Sequence, residues 1–257
     1  MKKILIIVGV LLLVGVFSPI FAFQFSPLEQ EFAPTGAEST KTYTIVNDSA
    51  DSIAVEVSAL TRNLSTSGEE LNESAAAYFS IVPSKVILKP QSSQIVRVQY
   101  RGPRTIPTEL SFRLRAEQIP YTKGRATENK SMFNFLYVYT TSLYITPNRI
   151  SPKVEVTSAI PTKTSDGREV LTLTVANTGT IHQILKDVNV EVIHNQTRSS
   201  VIYEGEALGF VNGLNLLAGK TVSVQVAWPT GFNFPTSTTN LGSLLTPKIT
   251  YESANTL

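Results

Sequence analysis

The residue types that most often carry out chemistry are scarce in this chain, and their spacing forms no recognisable active site. The only two histidines, His182 and His194, lack the His-x-x-x-His spacing of a metal site and are predicted at turns or on the surface. Glu69 and Glu70 lie in a Ser/Gly/Glu stretch typical of a solvated loop. There is no cysteine, no Gly-x-Ser-x-Gly elbow and no P-loop. We therefore predict that the protein is not an enzyme and uses no metal, cofactor or small-molecule substrate.

The N-terminus predicts export. Lys2 and Lys3 precede an apolar run from Ile4 to Val16, and Ala22 is a small residue at a suitable cleavage point. The run is shorter than the about 20 residues that a membrane-spanning helix needs, although a retained anchor is the alternative. Cleavage would leave 20 basic residues against 20 acidic ones, a balance that gives no indication of nucleic-acid binding.

Strand patterns dominate the rest of the chain. Short runs rich in Val, Ile, Thr and Tyr recur between turn residues, and no long stretch has helical periodicity. Apolar and polar residues alternate from Ile95 to Tyr100, as a half-buried antiparallel strand requires. The predicted class is all-β, a sandwich or a barrel. The clearest strand runs are Thr42–Val46, Ile53–Leu60, Ile95–Tyr100, Leu110–Arg115, Val170–Val175 and Val222–Trp228.

A weak internal repeat favours two sandwiches over one barrel. In the first half a strand ends at Asn47 and a later turn contains Pro90. In the second half a strand ends at Asn177 and a later turn contains Ala218, at nearly the same separation. One structural template used twice would produce this pattern.

Two prolines set the predicted domain boundary. Pro147 and Pro152 bracket a short segment that cannot continue a sheet, and so short a linker would fix an angle between the domains. A cleft at the junction is a natural place for binding. The predicted organisation is a signal peptide over residues 1–22 and two tandem immunoglobulin-like β-sandwich domains over residues 23–147 and 148–257.

One segment departs from the half-polar pattern. The run Met132–Tyr139 is bulky on both faces and continues to Ile145 as one long predicted strand. Leu136 and Val138 share one face. Such a strand is either buried on both faces or lies at a sheet edge, where it can pair with another protein. The opposite face carries four aromatic residues, Phe133, Phe135, Tyr137 and Tyr139.

Two other segments carry a family resemblance. Val86–Pro90 leads into Gln94–Val98, and Glu109–Pro120 ends in an Ile-Pro turn. With the export signal and two sandwiches, this order resembles the periplasmic pilus-assembly chaperones of the chaperone/usher pathway over most of the mature chain. The resemblance implies that the strand after the Ile-Pro turn donates alternating side chains to an incomplete pilus subunit. A shift of one residue in the register would exchange the two faces of the strand and place Leu136 and Val138 on the face that meets the subunit. Without that shift, the donor residues are Phe133, Phe135, Tyr137 and Tyr139.

The resemblance also implies roles for polar residues. Arg97 and Glu109 match a charged pair near the domain junction, for which two exposed strand charges are the alternative explanation. Family members hold the subunit's terminal carboxylate with an Arg on the first strand and a Lys on the donor strand. This chain departs from that pattern, because its first strand has residues 29–31, Glu-Gln-Glu, and its donor strand has Ser142 at the anchor position.

The predicted function is that of a periplasmic chaperone that stabilises pilus or other surface-fibre subunits by donor-strand complementation. It would deliver these subunits for assembly at the outer membrane, with an outer-membrane usher as a further partner. Self-association of the unbound protein is left open. The alternative is a structural or adhesive surface protein made of immunoglobulin-like modules, although Tyr251–Leu257 shows no sorting motif or apolar tail.

Overall fold

The computed structural model describes residues 23–121, 136–236 and 241–254, and most of them lie in β-strands. The predicted signal peptide, residues 1–22, and the aromatic residues Phe133 and Phe135 lie outside the described residues. No helix in the described part of the chain is long and apolar enough to cross a bilayer. Its four 3-10 helices are Ala37–Ser39, Ala76–Tyr78, Gly205–Val211 and Leu241–Ser243.

The strands fall into an N-terminal and a C-terminal group. The N-terminal group is β1 (Gln24–Ser26), β2 (Glu29–Phe32), β3 (Thr40–Asn47), β4 (Ile53–Thr61), β5 (Asn63–Leu64), β6 (Glu70–Leu71), β7 (Phe79–Val82), β8 (Lys85–Leu88), β9 (Ser92–Tyr100), β10 (Leu110–Ile119) and β11 (Val138–Ile145). The C-terminal group is β12 (Val154–Lys163), β13 (Glu169–Asn177), β14 (Gln183–His194), β15 (Ser200–Glu204), β16 (Asn215–Leu216), β17 (Thr221–Ala227) and β18 (Leu245–Ser253).

The N-terminal strands form a sandwich of two sheets. One sheet has the order β1-β3-β9-β7 and the other has the order β2-β11-β10-β4-β8. Period-two alternation puts Phe112, Leu114 and Ala116 of β10 into the core, while the residues between them are only partly buried. The buried residues form one cluster that runs from Phe23 to Ile145.

The C-terminal strands form a second sandwich with its own core. One sheet has the order β12-β13-β17, and in the other β14 pairs with β15, β16 and β18. A separate cluster of buried residues runs from Val154 to Leu245. The prediction of an all-β, two-sandwich chain is confirmed, and all six predicted strand runs lie in strands apart from Trp228, which follows the end of β17.

The internal repeat has a structural cause in two buried asparagines. Asn47 and Asn177 are almost completely inaccessible to solvent. The side-chain amide of Asn47 donates a hydrogen bond to the backbone oxygen of Lys89, and that of Asn177 donates one to Leu216, both at 2.9 Å. Each asparagine therefore ties the end of its strand to the later turn, which satisfies buried backbone groups in the same way in both domains.

The N-terminal segment contributes to both sheets of the first sandwich. β1 pairs with β3 in one sheet, whereas β2 runs parallel to β11 in the other. β2 covers only Ser142–Ile145, which we call the closed half of β11 because it lies between β2 and β10. Residues 138–141, the open half, pair with β10 alone among the described residues.

Candidate functional site

The open half of β11 presents apolar side chains to solvent. Leu136, just before the strand, and Val138 are each 46% exposed. The sequence predicts Tyr137 and Tyr139 on the outward face, but the structure packs both against the core, with the Tyr139 ring 4.8 Å from that of Phe23. The strand's alternation is the reason, because its odd-numbered residues continue inward to a buried Leu143. The structure therefore has the alternative register, with Leu136 and Val138 outward.

The same segment also has backbone groups that no strand pairs among the described residues. Ser142 donates its backbone N–H to the oxygen of Leu28 at 2.8 Å, on the side facing away from β10. Because alternate residues of a strand direct their polar groups to the same side, Val138 and Thr140 direct theirs to that side too. In the described part of the chain no strand lies there. Exposed apolar side chains and free backbone groups on one strand are what β-strand addition requires.

Two arginines lie beside the closed half, on the outer face of the same sheet. Arg113 of β10 donates from Nη1 to Ser142 Oγ at 2.9 Å. It also donates from Nε and Nη2 to the two carboxylate oxygens of Glu70, at 2.8 and 2.6 Å. Arg62 donates from Nε to Glu70 Oε2 at 2.9 Å. We call Arg62 and Arg113 the arginine pair.

The arginine pair has the chemistry of a carboxylate-binding site. The side chain of Arg62 is 8% exposed, that of Arg113 is 19% exposed and that of Glu70 is 26% exposed. Burial alone would raise the pKa of Glu70, but hydrogen bonds and charges from Arg113 and Arg62 outweigh it and lower the pKa to about 2. Guanidinium groups stay protonated and bind carboxylates through two parallel hydrogen bonds.

Neither arginine is predicted as a site residue from the sequence. The signal for Arg113 was the alternation of β10, combined with its pairing to β11, which places Arg113 opposite Ser142. That register depends on where the connection between the two strands ends, which the amino-acid pattern does not fix. Arg62 follows the last residue of β4, and no local pattern distinguishes it from a solvated charge.

The charged pair predicted from Arg97 and Glu109 does not form. Arg97 is an exposed residue of β9, in the opposite sheet. Glu109 lies at the domain junction, where both of its carboxylate oxygens are 2.9 Å from Nδ1 of His182. His182 is buried, not on the surface, and its backbone N–H also donates to Glu109. Glu109 and His182 lie in different domains and 73 residues apart, so local sequence gives no sign of their contact. The pairing with Arg97 was implied only by the family resemblance.

Tyr144 of the closed half connects the junction to the arginine pair. Its ring stacks on that of His182, with centroids 3.9 Å apart and planes within 8°. Its hydroxyl accepts hydrogen bonds from Arg62 Nη1 and from Asn215 Nδ2, both at 2.8 Å. The C-terminal domain therefore helps to hold Arg62 in place.

A cavity of about 280 Å³ lies at the junction of the two domains. Arg62 and Phe112 of the first domain line it, together with Leu217 and Lys220 of the second. The cleft predicted at the junction is therefore present next to the arginine pair. The described residues contain no group of three or more His, Asp or Glu side chains that could hold a metal ion.

Comparisons with known proteins connect this geometry to a family. Residues 32–151 match the family model of the pili and flagellar-assembly chaperone PapD N-terminal domain. No curated protein sequence matches the chain. The crystal structure of the class 5 fimbriae chaperone CfaA is similar with a TM-score of 0.55 at 12% identity, covering 90% of this chain and 99% of that one.

Two structures of complexes are also similar. One chain of a chaperone–tip adhesin complex of CFA/I fimbriae biogenesis has a TM-score of 0.55 at 13% identity, covering 88% of this chain and 98% of that one. The CsuC–CsuE chaperone–tip adhesion subunit pre-assembly complex of Acinetobacter baumannii has a TM-score of 0.53 at 13% identity, covering 82% and 90%. These likenesses show the shared fold, and the family consists of chaperones, not enzymes. The resemblance seen in the sequence is confirmed: the N-terminal domain is similar to that of the PapD-type pili and flagellar-assembly chaperones.

Proposed function

We propose that the protein is a periplasmic chaperone that binds pilus or other surface-fibre subunits by donating the open half of β11. It would release these subunits for assembly at the outer membrane, where an usher is the expected partner. The observation that carries the proposal is the coincidence, at Val138, of an outward apolar side chain with free backbone groups at a sheet edge. The similarity to chains from chaperone–adhesin complexes supports the choice of partner.

Donation would stabilise a subunit that lacks one strand of its own. The backbone of the open half would supply hydrogen bonds along the subunit's edge, and Leu136 and Val138 would enter its incomplete core. Complete burial of an exposed aliphatic side chain contributes about 1.5–3 kcal/mol, so a few such residues suffice for stable but reversible binding. The binding needs no covalent step.

The arginine pair is the proposed anchor for the subunit's terminal carboxylate. Arg113 can bind a carboxylate through two hydrogen bonds, and Ser142, already in contact with Arg113, can donate a third from its hydroxyl. The anchor predicted at Ser142 thus becomes Arg113 and Arg62 with Ser142 as a minor partner. The arginine pair would supply the positive charge that the first strand and β11 do not provide.

The test is recovery of a partner by tagged, mature protein from the periplasm of its own host, followed by mass spectrometry. We expect the wild type to recover a small exported β-rich subunit and the Val138→Asp variant to recover none, because a buried unpaired carboxylate is costly. The matched control is Ile87→Asp, which changes an exposed apolar residue of β8 at the opposite edge of the same sheet.

The outcomes separate the two candidate functions. Equal recovery by Val138→Asp and Ile87→Asp would contradict strand donation, provided that circular dichroism shows both variants folded. Recovery of the chain alone, as a polymer, would favour the structural or adhesive protein.

A further inference from the structure

A hairpin of the first domain reaches across the junction to the second domain. It consists of residues 63–71, comprising β5, β6 and the turn between them, and we call it the junction hairpin. Leu64 packs against the core of the C-terminal domain. In the turn, the backbone oxygen of Thr66 accepts a hydrogen bond from the N–H of Ser223 at 2.8 Å.

Gly68 permits an especially close approach in this turn. Its φ is +83°, a left-handed conformation that glycine adopts without strain. A Cβ at this position would lie 2.5 Å from Cε2 of Phe210, so the Phe210 ring occupies the space that any other side chain would need. The junction hairpin is therefore seated on the C-terminal domain by Phe210 and Ser223.

The seated hairpin brings Glu70 into the arginine pair. The carboxylate of Glu70 offers the same two oxygens as the end of a polypeptide chain, and Arg113 binds them both. We propose that Glu70 is an intrachain substitute for the subunit's terminal carboxylate, and that the junction hairpin is a lid that an arriving subunit displaces. The inference rests on the proposed function, because it assumes that the arginine pair is the anchor.

The contacts around the arginine pair allow Glu70 to leave without loss of the site. Arg113 is held independently by Ser142, and Arg62 is held independently by Tyr144. The ladder between β5 and β6 has only two residue pairs, so its opening disrupts few backbone hydrogen bonds.

A closed lid lowers the apparent affinity for a subunit by the fraction of molecules in which the site is open. If the lid is open about one-tenth of the time, removal of the competing carboxylate raises the affinity roughly tenfold. The lid would also keep other anions off the arginine pair in the unbound protein, because a filled site presents less free positive charge.

The test uses the mature chain and a synthetic peptide of alternating valine and threonine residues with a free C-terminal carboxylate, and the same peptide with a C-terminal amide. Dissociation constants are measured by isothermal titration calorimetry. We expect Glu70→Gln to bind the carboxylate peptide about tenfold more tightly than the wild type and the amide peptide equally well. The matched control is Glu169→Gln, which removes a carboxylate paired with Lys163 in the C-terminal domain and should change neither constant.

A second variant tests the seating of the hairpin. Phe210→Ala leaves Glu70 intact but loosens the lid, so it should raise the affinity for the carboxylate peptide by a smaller factor than Glu70→Gln. Thermal unfolding of each variant establishes that it is folded at the temperature of the titration.

The outcomes distinguish this inference from the proposed function. Binding of the carboxylate peptide by Glu70→Gln no tighter than by the wild type would mean that Glu70 braces the arginines, which overturns the lid and leaves strand donation standing. Failure of both peptides to bind any variant would overturn the anchor and the lid together. Unchanged binding by Val138→Asp would contradict strand donation alone, and a tenfold gain in Glu70→Gln would still support the lid.

Discussion

The two halves of β11 share one alternation of side chains but differ in what covers them. In the closed half, between β2 and β10, Leu143, Tyr144 and Ile145 are all completely buried. In the open half, Val138 keeps nearly half of its surface exposed, and one backbone edge has no partner among the described residues. One strand therefore contributes to the core with one half and leaves the other half, the proposed binding surface, exposed. The closed half fixes the position and direction of the open half. The open half would therefore lose little conformational entropy on binding a partner.

The largest expected contrast is in stability. Leu143→Ala removes a side chain from the core and should lower the free energy of unfolding by about 2–5 kcal/mol, through lost burial and a residual cavity. Val138→Ala, five residues earlier in the same strand, should change it by no more than about 0.5 kcal/mol, because its side chain is exposed. Urea denaturation followed by circular dichroism measures both.

Partner recovery should give the reverse order. Val138→Ala should weaken binding to a subunit, whereas Leu143→Ala protein that remains folded should bind as the wild type does. A loss of several kcal/mol of stability in Val138→Ala would mean that the open half belongs to the core after all.

A smaller contrast concerns hydroxyl groups in the two halves. Tyr144→Phe keeps the ring stacked on His182 but leaves the buried donors of Arg62 and Asn215 without their acceptor. Because an unsatisfied buried polar group is costly, the variant should be about 1–3 kcal/mol less stable in urea denaturation. The control is Tyr139→Phe, whose hydroxyl bonds to no described residue and whose loss should be within about 0.5 kcal/mol. Equal losses in the two variants would show that the junction network contributes nothing.

The difference between the halves also marks what the sequence can predict. Local alternation predicted strands such as Leu110–Arg115, because it is set by neighbours in the chain. The repeated asparagine followed by a later turn predicted two sandwiches, because the same buried contact recurs in both domains. The same alternation identified β11 as unusual. The predicted donating face was that of Tyr137 and Tyr139, with a one-residue shift as the alternative, and the structure has the shifted register. Bulky residues on both faces of the strand, such as Leu136 and Tyr137, made the choice between the faces difficult.

The polar part of the site was beyond sequence reasoning for a different reason. Arg113 and Glu70 belong to separate strands and Arg62 follows a third, so the three residues meet only after those strands are assembled. Glu109 meets His182 only across the domain junction. Glu70 was predicted as a solvated loop residue, since nothing near it in the chain shows that the hairpin is seated on the second domain. Such contacts depend on pairing register and domain packing, which local patterns do not encode.

The smallest expected effect is on the pH dependence of stability, and it concerns the polar neighbours of the closed half. Arg113 and Arg62 lower the pKa of Glu70 from an ordinary value of 4.5 to about 2. The two arginines are themselves held by Ser142 and Tyr144. Because the folded-state pKa is lowered, the ionised carboxylate stabilises the protein fully above pH 4.5, and this contribution is lost as the pH falls towards 2.

The unfolding free energies of the wild type and Glu70→Gln should therefore differ most at pH 6, by about 1 kcal/mol or less, and should converge between pH 4.5 and pH 2. Urea denaturation of both proteins at pH 6 and at about pH 3 measures this. A constant difference at the two pH values would mean that the arginine pair does not hold Glu70 as an ionised carboxylate. Convergence would show that the neighbours of the closed half hold an internal ion pair, beside the same strand whose open half we propose as the donor.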